Sequence, residues 1–490
     1  MIRRREPDLK VRPASTAARF HAAVLVTAAL IAGATAVTAQ PRDVRTAQVI
    51  ANDGTAFDVT SGTVQVVENR RTGAPRTIDL AFVQVRRTGA ARTASAHVVL
   101  AGGPGDSGVD QVMGLARQGG AAIADLMQGD ILGIDQRGTG RSVPNLSSSV
   151  LYGLPMDRPG SPETWLPIME RASAAEAARL RAAGIDLESY NTRESADDVA
   201  EVCAALGYAR VTLWGRSYGT HLALATVARH PALVERMVLV SPEGLDHTWK
   251  RPSQVDAVIA RLETRGAGSL MSPLAAVLER LRREPVTVPV TNPRTGQPAA
   301  IVLGSFDVQW IVSQALGDPR LVATLPSAIR EMRDGDFRRI AQIAMLRRER
   351  AGIQSAMKMM MDLSSGAGAS RRAQIEREAA TALLGNAINF PGMYLGRAWG
   401  AVDLGDAFRA PVTSRVPALL LVGDLDPRTP EANAREVAAT LPRSTVVIVE
   451  NATHQFDLFG TSAIRDLLAR FLRGETALPD RLPLPPPAFK

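Results

Sequence analysis

The stretch VTLWGRSYGTHLALATVA, residues 211–228, decides the fold that we expect for this chain. It begins with an apolar, strand-like run, passes through Gly215–Gly219, which has the pattern G-x-S-x-G, and continues as a helix-like run. A strand, this pentapeptide and a helix together form a nucleophile elbow, in which only small residues fit beside the sharply turned serine. The pattern therefore predicts that Ser217 lies at the positive end of a helix and is a nucleophile.

Apolar runs alternate with helical patterns on both sides of this stretch. Further strand-like runs lie at residues 97–100, 130–134, 237–240, 418–422 and 445–449. Alternation of this kind predicts an α/β protein, with a mostly parallel sheet flanked by helices. An antiparallel lead-in is expected before it, with strands at residues 63–67 and 78–85, and a closing helix is expected at 462–472.

Residues 246–410 break this alternation, because they carry amphipathic helical patterns and few strand candidates. The clearest helical patterns are at residues 252–263, 274–283, 308–316 and 321–332. We expect this segment to be a helical cap inserted between two parts of the sheet domain, residues 40–245 and 411–475. The proline-rich residues 476–490 are predicted to form a loose tail.

Residues 1–39 have the features of a signal peptide. A basic start precedes an apolar run, residues 22–37, which ends in small residues, and cleavage after Ala36 or Ala39 fits this pattern. The run is short and rich in alanine, so we expect its removal and not a stable membrane anchor. The sequence thus predicts an exported protein, periplasmic or extracellular. With Cys203 as its only cysteine, such a protein has no internal disulfide.

The composition is that of a globular chain: of 490 residues, 46% are hydrophobic and 22% are charged. The formal net charge is +8, and about half of it lies in residues 1–39. Elsewhere the basic excess is mild, and no basic block with interleaved aromatic residues occurs. Binding to nucleic acid is therefore not expected.

A serine nucleophile needs a base that accepts its proton and a carboxylate that orients the base. After a nucleophile elbow, the acid precedes the histidine along the chain. His454 is the only histidine that follows a late strand, so it is the predicted base. The loop after the preceding strand offers both Asp424 and Asp426, and position alone does not separate them.

The same chemistry needs backbone N–H groups that stabilise an oxyanion. The residue after the nucleophile, Tyr218, supplies one such group, and the loop after an early strand supplies the other. That loop is the glycine-rich segment 100–108, in which Gly103 is the predicted donor. A phosphate-binding loop is the competing interpretation, but no Gly-Lys-Ser or Gly-Lys-Thr follows. No metal and no organic cofactor is needed.

Four motifs together resemble the proline-iminopeptidase and tripeptidyl-aminopeptidase group of α/β-hydrolases. They are GGPGDSG at residues 102–108, DQRGTGRS at 135–142, GRSYG at 215–219 and DPRTP at 426–430. The resemblance covers residues 97–245 and 415–472, and it implies the α/β-hydrolase fold and a Ser-His-Asp triad. In that group the acid is the aspartate of the last motif, which is Asp426 here. The cap matches no pattern of the group.

The resemblance implies an aminopeptidase that releases residues or short peptides from free N-termini. Such an enzyme must hold the substrate ammonium group, and Glu243 or Asp246 is the candidate, in the loop after the strand that follows the elbow helix. Pairing of these carboxylates with Lys250, Arg251 or the backbone is the other interpretation. The alternatives are a carboxylic-ester hydrolase and a binding protein without turnover. The expected partner is a small peptide or ester, and the sequence makes no prediction of the oligomeric state.

Overall fold

A computed structural model describes residues 40–73, 75–292 and 294–490 of the chain. The predicted signal peptide, residues 1–39, lies outside the described residues. Within the described part, none of the helices combines the length and the apolar character that a membrane span requires.

The described residues form one ten-stranded sheet and two small two-stranded sheets. The strands are β1 (Pro41–Ile50), β2 (Ala56–Val67), β3 (Thr77–Arg87), β4 (Ser95–Leu100), β5 (Asp130–Ile134), β6 (Ser147–Leu151), β7 (Arg210–Arg216), β8 (Val234–Val240), β9 (Val286–Thr291), β10 (Pro298–Leu303), β11 (Gly352–Ser355), β12 (Ala418–Gly423), β13 (Ser444–Glu450) and β14 (Arg481–Pro483). In the large sheet the order is β1-β2-β3-β5-β4-β7-β8-β12-β13-β14.

The large sheet is antiparallel at one edge and parallel elsewhere. Strands β1, β2, β3 and β5 pair antiparallel in turn, and the pairs from β5 to β14 are parallel. Every residue of β5 and β12 is buried, because helices cover both faces of the parallel part. This explains the continuous apolar runs of the sequence, and it confirms the predicted fold class.

Helices flank the large sheet and build the cap. They are α1 (Gly108–Leu126), α2 (Pro162–Ala182), α3 (Thr192–Ala205), α4 (Tyr218–Arg229), α5 (Pro252–Leu262), α6 (Met271–Arg283), α7 (Ser305–Ala315), α8 (Pro319–Arg333), α9 (Arg338–Arg350), α10 (Ala356–Ser365), α11 (Ala369–Ala379), α12 (Gly396–Trp399), α13 (Asp406–Arg409), α14 (Glu431–Ala438) and α15 (Ser462–Leu472).

The segment predicted as a helical cap is helical for the most part, but it also contains the hairpin β9–β10. Its helices α5 to α9 enclose a separate hydrophobic core, which includes Ile259, Leu274 and Val308. Helix α10 departs from this arrangement, because Met357, Met360 and Met361 are buried in the core of the sheet domain. The later part of the segment 246–410 therefore packs as part of the sheet domain.

A buried carboxylate fixes the glycine-rich loop that precedes α1. Asp135, at the end of β5, accepts hydrogen bonds from Ser107 Oγ at 2.6 Å, from the N–H of Val109 at 3.1 Å and from the N–H of Arg141 at 2.8 Å. The fully buried Arg137 donates to both carboxylate oxygens of Asp198 at 2.7 Å. The DQRGTGRS motif thus braces the loops around the elbow.

The last residues of the chain are paired, so the prediction of a loose tail is wrong for them. Strand β14 continues the parallel sheet beside β13, and Leu482 is buried. Beyond the strand, the N–H of Lys490 donates to the carbonyl of Ala323 at 2.9 Å. Proline is tolerated here because β14 is an edge strand, where one row of backbone groups needs no partner.

Candidate active site

The elbow places Ser217 in a conformation that serines rarely adopt. Between the end of β7 and the start of α4, Ser217 has φ 53° and ψ −123°. Such a backbone is strained for a residue with a side chain, and it projects the hydroxyl away from the sheet. A Cβ atom at Gly219 would collide with the carbonyl oxygen of Leu100, so only glycine fits there.

The side chain of His454 lies within hydrogen-bonding distance of both Ser217 and Asp426. Nε2 of His454 is 3.0 Å from Oγ of Ser217, and Nδ1 is 2.8 Å from Oδ2 of Asp426. Asp426 also accepts from the N–H of Arg428 at 2.8 Å and from the N–H and hydroxyl of Thr429 at 2.9 and 2.8 Å. These hydrogen bonds fix the orientation of the Asp426 carboxylate towards the imidazole of His454.

The environment of Asp426 keeps this carboxylate ionised. Burial alone raises its pKa, but His454 and Thr429 outweigh burial, and the pKa of Asp426 falls to about 2. An ionised Asp426 favours the tautomer in which Nδ1 of His454 donates to it, which leaves Nε2 free to accept the proton of Ser217.

Asp424, the other candidate acid, has a different set of partners. Its Oδ1 accepts from the N–H of Asn451 at 2.7 Å, and its Oδ2 pairs with Nη2 of Arg265 at 2.8 Å. Asp424 therefore ties the loop after β12 to the loop after β13 and to the cap. Only Asp426 of the two reaches His454.

The two predicted oxyanion donors lie beside Ser217 on one cavity. Tyr218 is the first residue of α4, and Gly103 has φ 107°, which favours glycine. Among the described residues, neither backbone N–H donates to a protein acceptor. The carbonyl of Gly103 accepts from Nζ of Lys358 at 3.0 Å, which fixes the orientation of the loop.

A cavity of about 680 Å³ lies between the sheet domain and the cap and includes Ser217. Glu243 is part of its wall, and its Oε2 pairs with Nζ of Lys250 at 2.6 Å. Asp246 is not part of this wall, and its Oδ1 accepts from the N–H of Gly368 at 2.5 Å. The structure therefore places Glu243, but not Asp246, in the wall of the cavity that includes Ser217.

A second carboxylate on this wall, Asp362 of α10, had no signal in the sequence. Its Oδ2 pairs with Nζ of Lys358 at 2.8 Å. Burial raises the pKa of Asp362, and the nearby charge of Glu243 acts in the same direction, against Lys358. Burial also raises the pKa of Glu243, but Lys250 and His221 lower it more strongly. Two carboxylates thus face the same cavity.

The fold is that of the α/β-hydrolases. A family model of the alpha/beta hydrolase fold matches residues 98–262, and a model described as TAP-like protein matches residues 398–481. The chain is therefore a hydrolase of the α/β fold with a TAP-like region, which confirms the resemblance read from the motifs. No curated protein sequence matches the chain.

Solved structures similar to this chain include a peptidase and an esterase. The proline iminopeptidase of Mycobacterium smegmatis has 15% identity, a TM-score of 0.39 and coverage of 84% of this chain and 98% of its own. A thermophilic esterase from Thermogutta terrifontis has 15% identity, a TM-score of 0.36 and coverage of 88% and 100%.

Proposed function

We propose that this chain is an exported serine aminopeptidase that releases residues or short peptides from free N-termini. One observation supports this function above others: the cavity that contains Ser217 also contains the carboxylates Glu243 and Asp362. A substrate with a free amine brings a positive charge, and charged hydrogen bonds to buried carboxylates are among the stronger polar contacts in proteins.

In the proposed reaction, His454 takes the proton of Ser217 as Oγ attacks the substrate carbonyl. The N–H groups of Gly103 and Tyr218 hold the oxyanion, and Asp426 stabilises the imidazolium. The carbon–nitrogen bond then breaks as His454 gives its proton to the departing amine. Water, activated by His454, hydrolyses the acyl-enzyme and restores the Ser217 hydroxyl.

Each of the two carboxylates already has a lysine partner, so a substrate ammonium group must compete with a lysine for it. Lys250 holds Glu243 and Lys358 holds Asp362, so a substrate ammonium must share or replace these contacts. Both lysines are on flexible stems and line the cavity themselves. We propose that the substrate amine replaces Lys250 at Glu243, whereas Lys358 keeps its contact with the carbonyl of Gly103 and shares Asp362 with the amine.

An ester hydrolase is the second candidate, because part of the cavity wall is apolar. Leu325 and Met332 of α8 and Ile340 and Ile343 of α9 belong to this wall. An apolar acyl chain would pack against such side chains, and the same triad cleaves esters.

Hydrolysis of chromogenic amides and esters tests the proposal directly. The panel holds aminoacyl and tripeptidyl anilides with free and blocked N-termini, together with short and long acyl esters. We expect cleavage of free-amine anilides, lost in Ser217→Ala. Turnover of esters alone would move the function to an esterase, and unchanged activity in Ser217→Ala would favour a binding protein without triad chemistry.

Removal of the carboxylate charges tests ammonium recognition. We expect Glu243→Gln and Asp362→Asn each to lower kcat/KM for free-amine anilides by roughly tenfold or more, because a charged hydrogen bond is lost. Neutral esters should change much less. Asp246→Asn is the matched control, since this carboxylate lies outside the cavity wall. Equal losses on anilides and esters would contradict a role in amine binding.

Export is proposed from residues 1–39 alone. Mass spectrometry of the protein recovered from the periplasm or medium should give an N-terminus after Ala36 or Ala39. An intact N-terminus in the membrane fraction would contradict signal removal.

A further inference from the structure

The wall of the cavity that contains Ser217 carries more basic than acidic side chains. Its acidic residues are Glu243 and Asp362, and its basic residues are Lys250, Arg339, Arg347, Arg350, Lys358 and Arg428. Both lysines are paired with the two carboxylates, and Arg339 is paired with Glu331 at 2.6 Å. The remaining positive charges include two that lie together, Arg347 and Arg428.

Arg347, from α9, and Arg428, from the loop after β12, both contact one face of α7. Nη2 of Arg428 donates to Oε1 of Gln314 at 2.9 Å, and the guanidinium of Arg347 lies 5.9 Å from the centre of the Trp310 ring. Because Trp310 and Gln314 are one helical turn apart, their side chains share a face of α7. Both guanidinium groups thus lie at the cavity that this face lines.

Among the residues that the structure describes, neither guanidinium of this pair forms an ion pair with a carboxylate. Within the described ranges, Gln314 is the side-chain acceptor of Arg428, and Arg347 rests against the Trp310 ring. Burial lowers the pKa of Arg428 more than the negative charges of Asp426 and Glu243 raise it. Burial and the charge of Arg428 both lower the pKa of Arg347. Two adjacent, partly buried cations attract an anion, since one carboxylate compensates both charges and accepts paired hydrogen bonds.

Arg428 lies close to His454, the predicted base. A Cβ atom at Gly317 would lie 3.1 Å from Nε of Arg428 and 3.8 Å from Cβ of His454, so both side chains flank this glycine. The base of a serine hydrolase gives its proton to the leaving group, so the leaving atom must lie beside Nε2 of His454. The proximity of Arg428 to His454 therefore favours the leaving group, over the acyl group, as the part of the substrate that Arg428 contacts.

We propose that Arg347 and Arg428 bind a carboxylate carried by the leaving group of the substrate. For the peptidase proposed above, on which this inference rests in part, that carboxylate is the C-terminus of a short peptide. The bond from the acyl carbon to the leaving atom breaks, the leaving group departs with the proton from His454, and the carboxylate remains ionised throughout. The enzyme then prefers short peptides with a free C-terminus over longer or amidated ones.

Matched substrates test the kinetic part of this proposal. The pair is an aminoacyl para-nitroanilide and its meta-carboxy derivative, which share the acyl part and differ in one leaving-group carboxylate. We expect kcat/KM to be higher for the carboxylated substrate, and the ratio of the two values to fall about tenfold or more in Arg428→Gln and in Arg347→Gln. Arg428→Lys should retain part of the ratio.

Arg339→Gln is the matched control, because this arginine lines the same cavity but is already paired with Glu331. It should leave the ratio as in the wild type. A ratio near or below one in the wild type, or an equal fall in all the arginine variants, overturns the proposal.

Binding of a small carboxylate gives a readout that needs no turnover. Calorimetry with benzoate and its neutral analogue benzamide should show tighter binding of benzoate to the wild type, with the difference lost in Arg347→Gln. Equal binding of the two compounds overturns the proposal. Failure of the aminopeptidase function is a distinct result: anilides remain uncleaved, while benzoate binding and the preference for carboxylated nitrophenyl esters persist.

Discussion

Asp424 and Asp426 lie in one loop but have different roles, which follow from their hydrogen-bond partners. Asp426 contacts His454, whereas Asp424 pairs with Arg265. We expect Asp426→Asn to lower kcat by roughly three to four orders of magnitude, because an amide at this position favours the wrong tautomer of His454. The measurement is steady-state kinetics on the best substrate of the panel. A loss below tenfold would contradict the role of Asp426 as the orienting acid.

Asp424→Asn is the control for that variant, since it makes the same chemical change two residues away. It weakens the ion pair with Arg265, and we expect kcat to stay within a few-fold of the wild type. The free energy of unfolding should fall by about 2 kcal/mol, because a buried acceptor loses its charge. Urea denaturation measures this loss.

Two histidines, the fully buried His221 and the half-buried His97, make the stability of the protein sensitive to acid. Burial lowers the pKa of both His97 and His221 to about 4, from an ordinary value of 6.5. Between these values the unfolded chain binds protons that the folded chain excludes. Stability is therefore complete above about pH 6.5 and decreases as the pH falls towards 4, by up to about 1.4 kcal/mol per pH unit for each histidine.

His97→Gln tests this dependence away from the candidate site. Nδ1 of His97 accepts from Nε1 of Trp214 at 2.9 Å, and a glutamine oxygen can replace that acceptor without titrating. Urea unfolding from pH 7 to pH 4 should give a shallower loss of stability in the variant. Parallel curves for the two proteins would show that His97 is not the titrating group.

At the scale of elements, the sequence predicted those segments whose pattern depends on local burial. The helix expected at residues 462–472 coincides with α15, and the expected strands lie within β2, β3, β4, β5, β8, β12 and β13. Strand β1 was missed because nearly all of its residues are exposed, so no apolar alternation marks it. Helix α9 was missed because its arginines obscure the apolar face, although one of them, Arg348, is buried and pairs with Asp307 at 2.7 Å.

Strand β14 is an element that the proline-rich composition concealed, and its contribution is measurable. Leu482 is buried in the core on one face of the large sheet. We expect Leu482→Ala to lower the free energy of unfolding by about 2–3 kcal/mol, the cost of a cavity in a packed core. Pro486→Ala, at an exposed position of the same segment, should change it by less than about 0.5 kcal/mol. Equal effects in urea denaturation would contradict an ordered edge strand.

For the molecule as a whole, motif and strand order predicted which residues meet at the elbow. Ser217, Asp426 and His454 each follow a strand of one parallel sheet, and the carboxyl ends of such strands lie at one edge. No comparable rule predicts which side chains form the opposite wall of the cavity. Arg347 and Gln314 come from cap helices, and Asp362 comes from α10, which packs on the sheet domain. The positions of these helices depend on long-range contacts, so the place of the three side chains in the cavity wall leaves no local trace in the sequence.

The cap wall nevertheless makes a definite prediction about substrate size. Leu325, Ala328 and Met332 lie along one face of α8 in the cavity wall, and Ala328 has the smallest side chain of the three. Ala328→Phe reduces the room at this wall, so the ratio of kcat/KM between long and short apolar acyl groups should fall roughly tenfold or more. Arg330→Phe, at an exposed position of the same helix that is not part of the wall, should keep the ratio. An equal loss of kcat/KM for long and short substrates in Ala328→Phe would contradict this prediction. The acyl group, whether of a peptide or of an ester, would then bind at another part of the cavity.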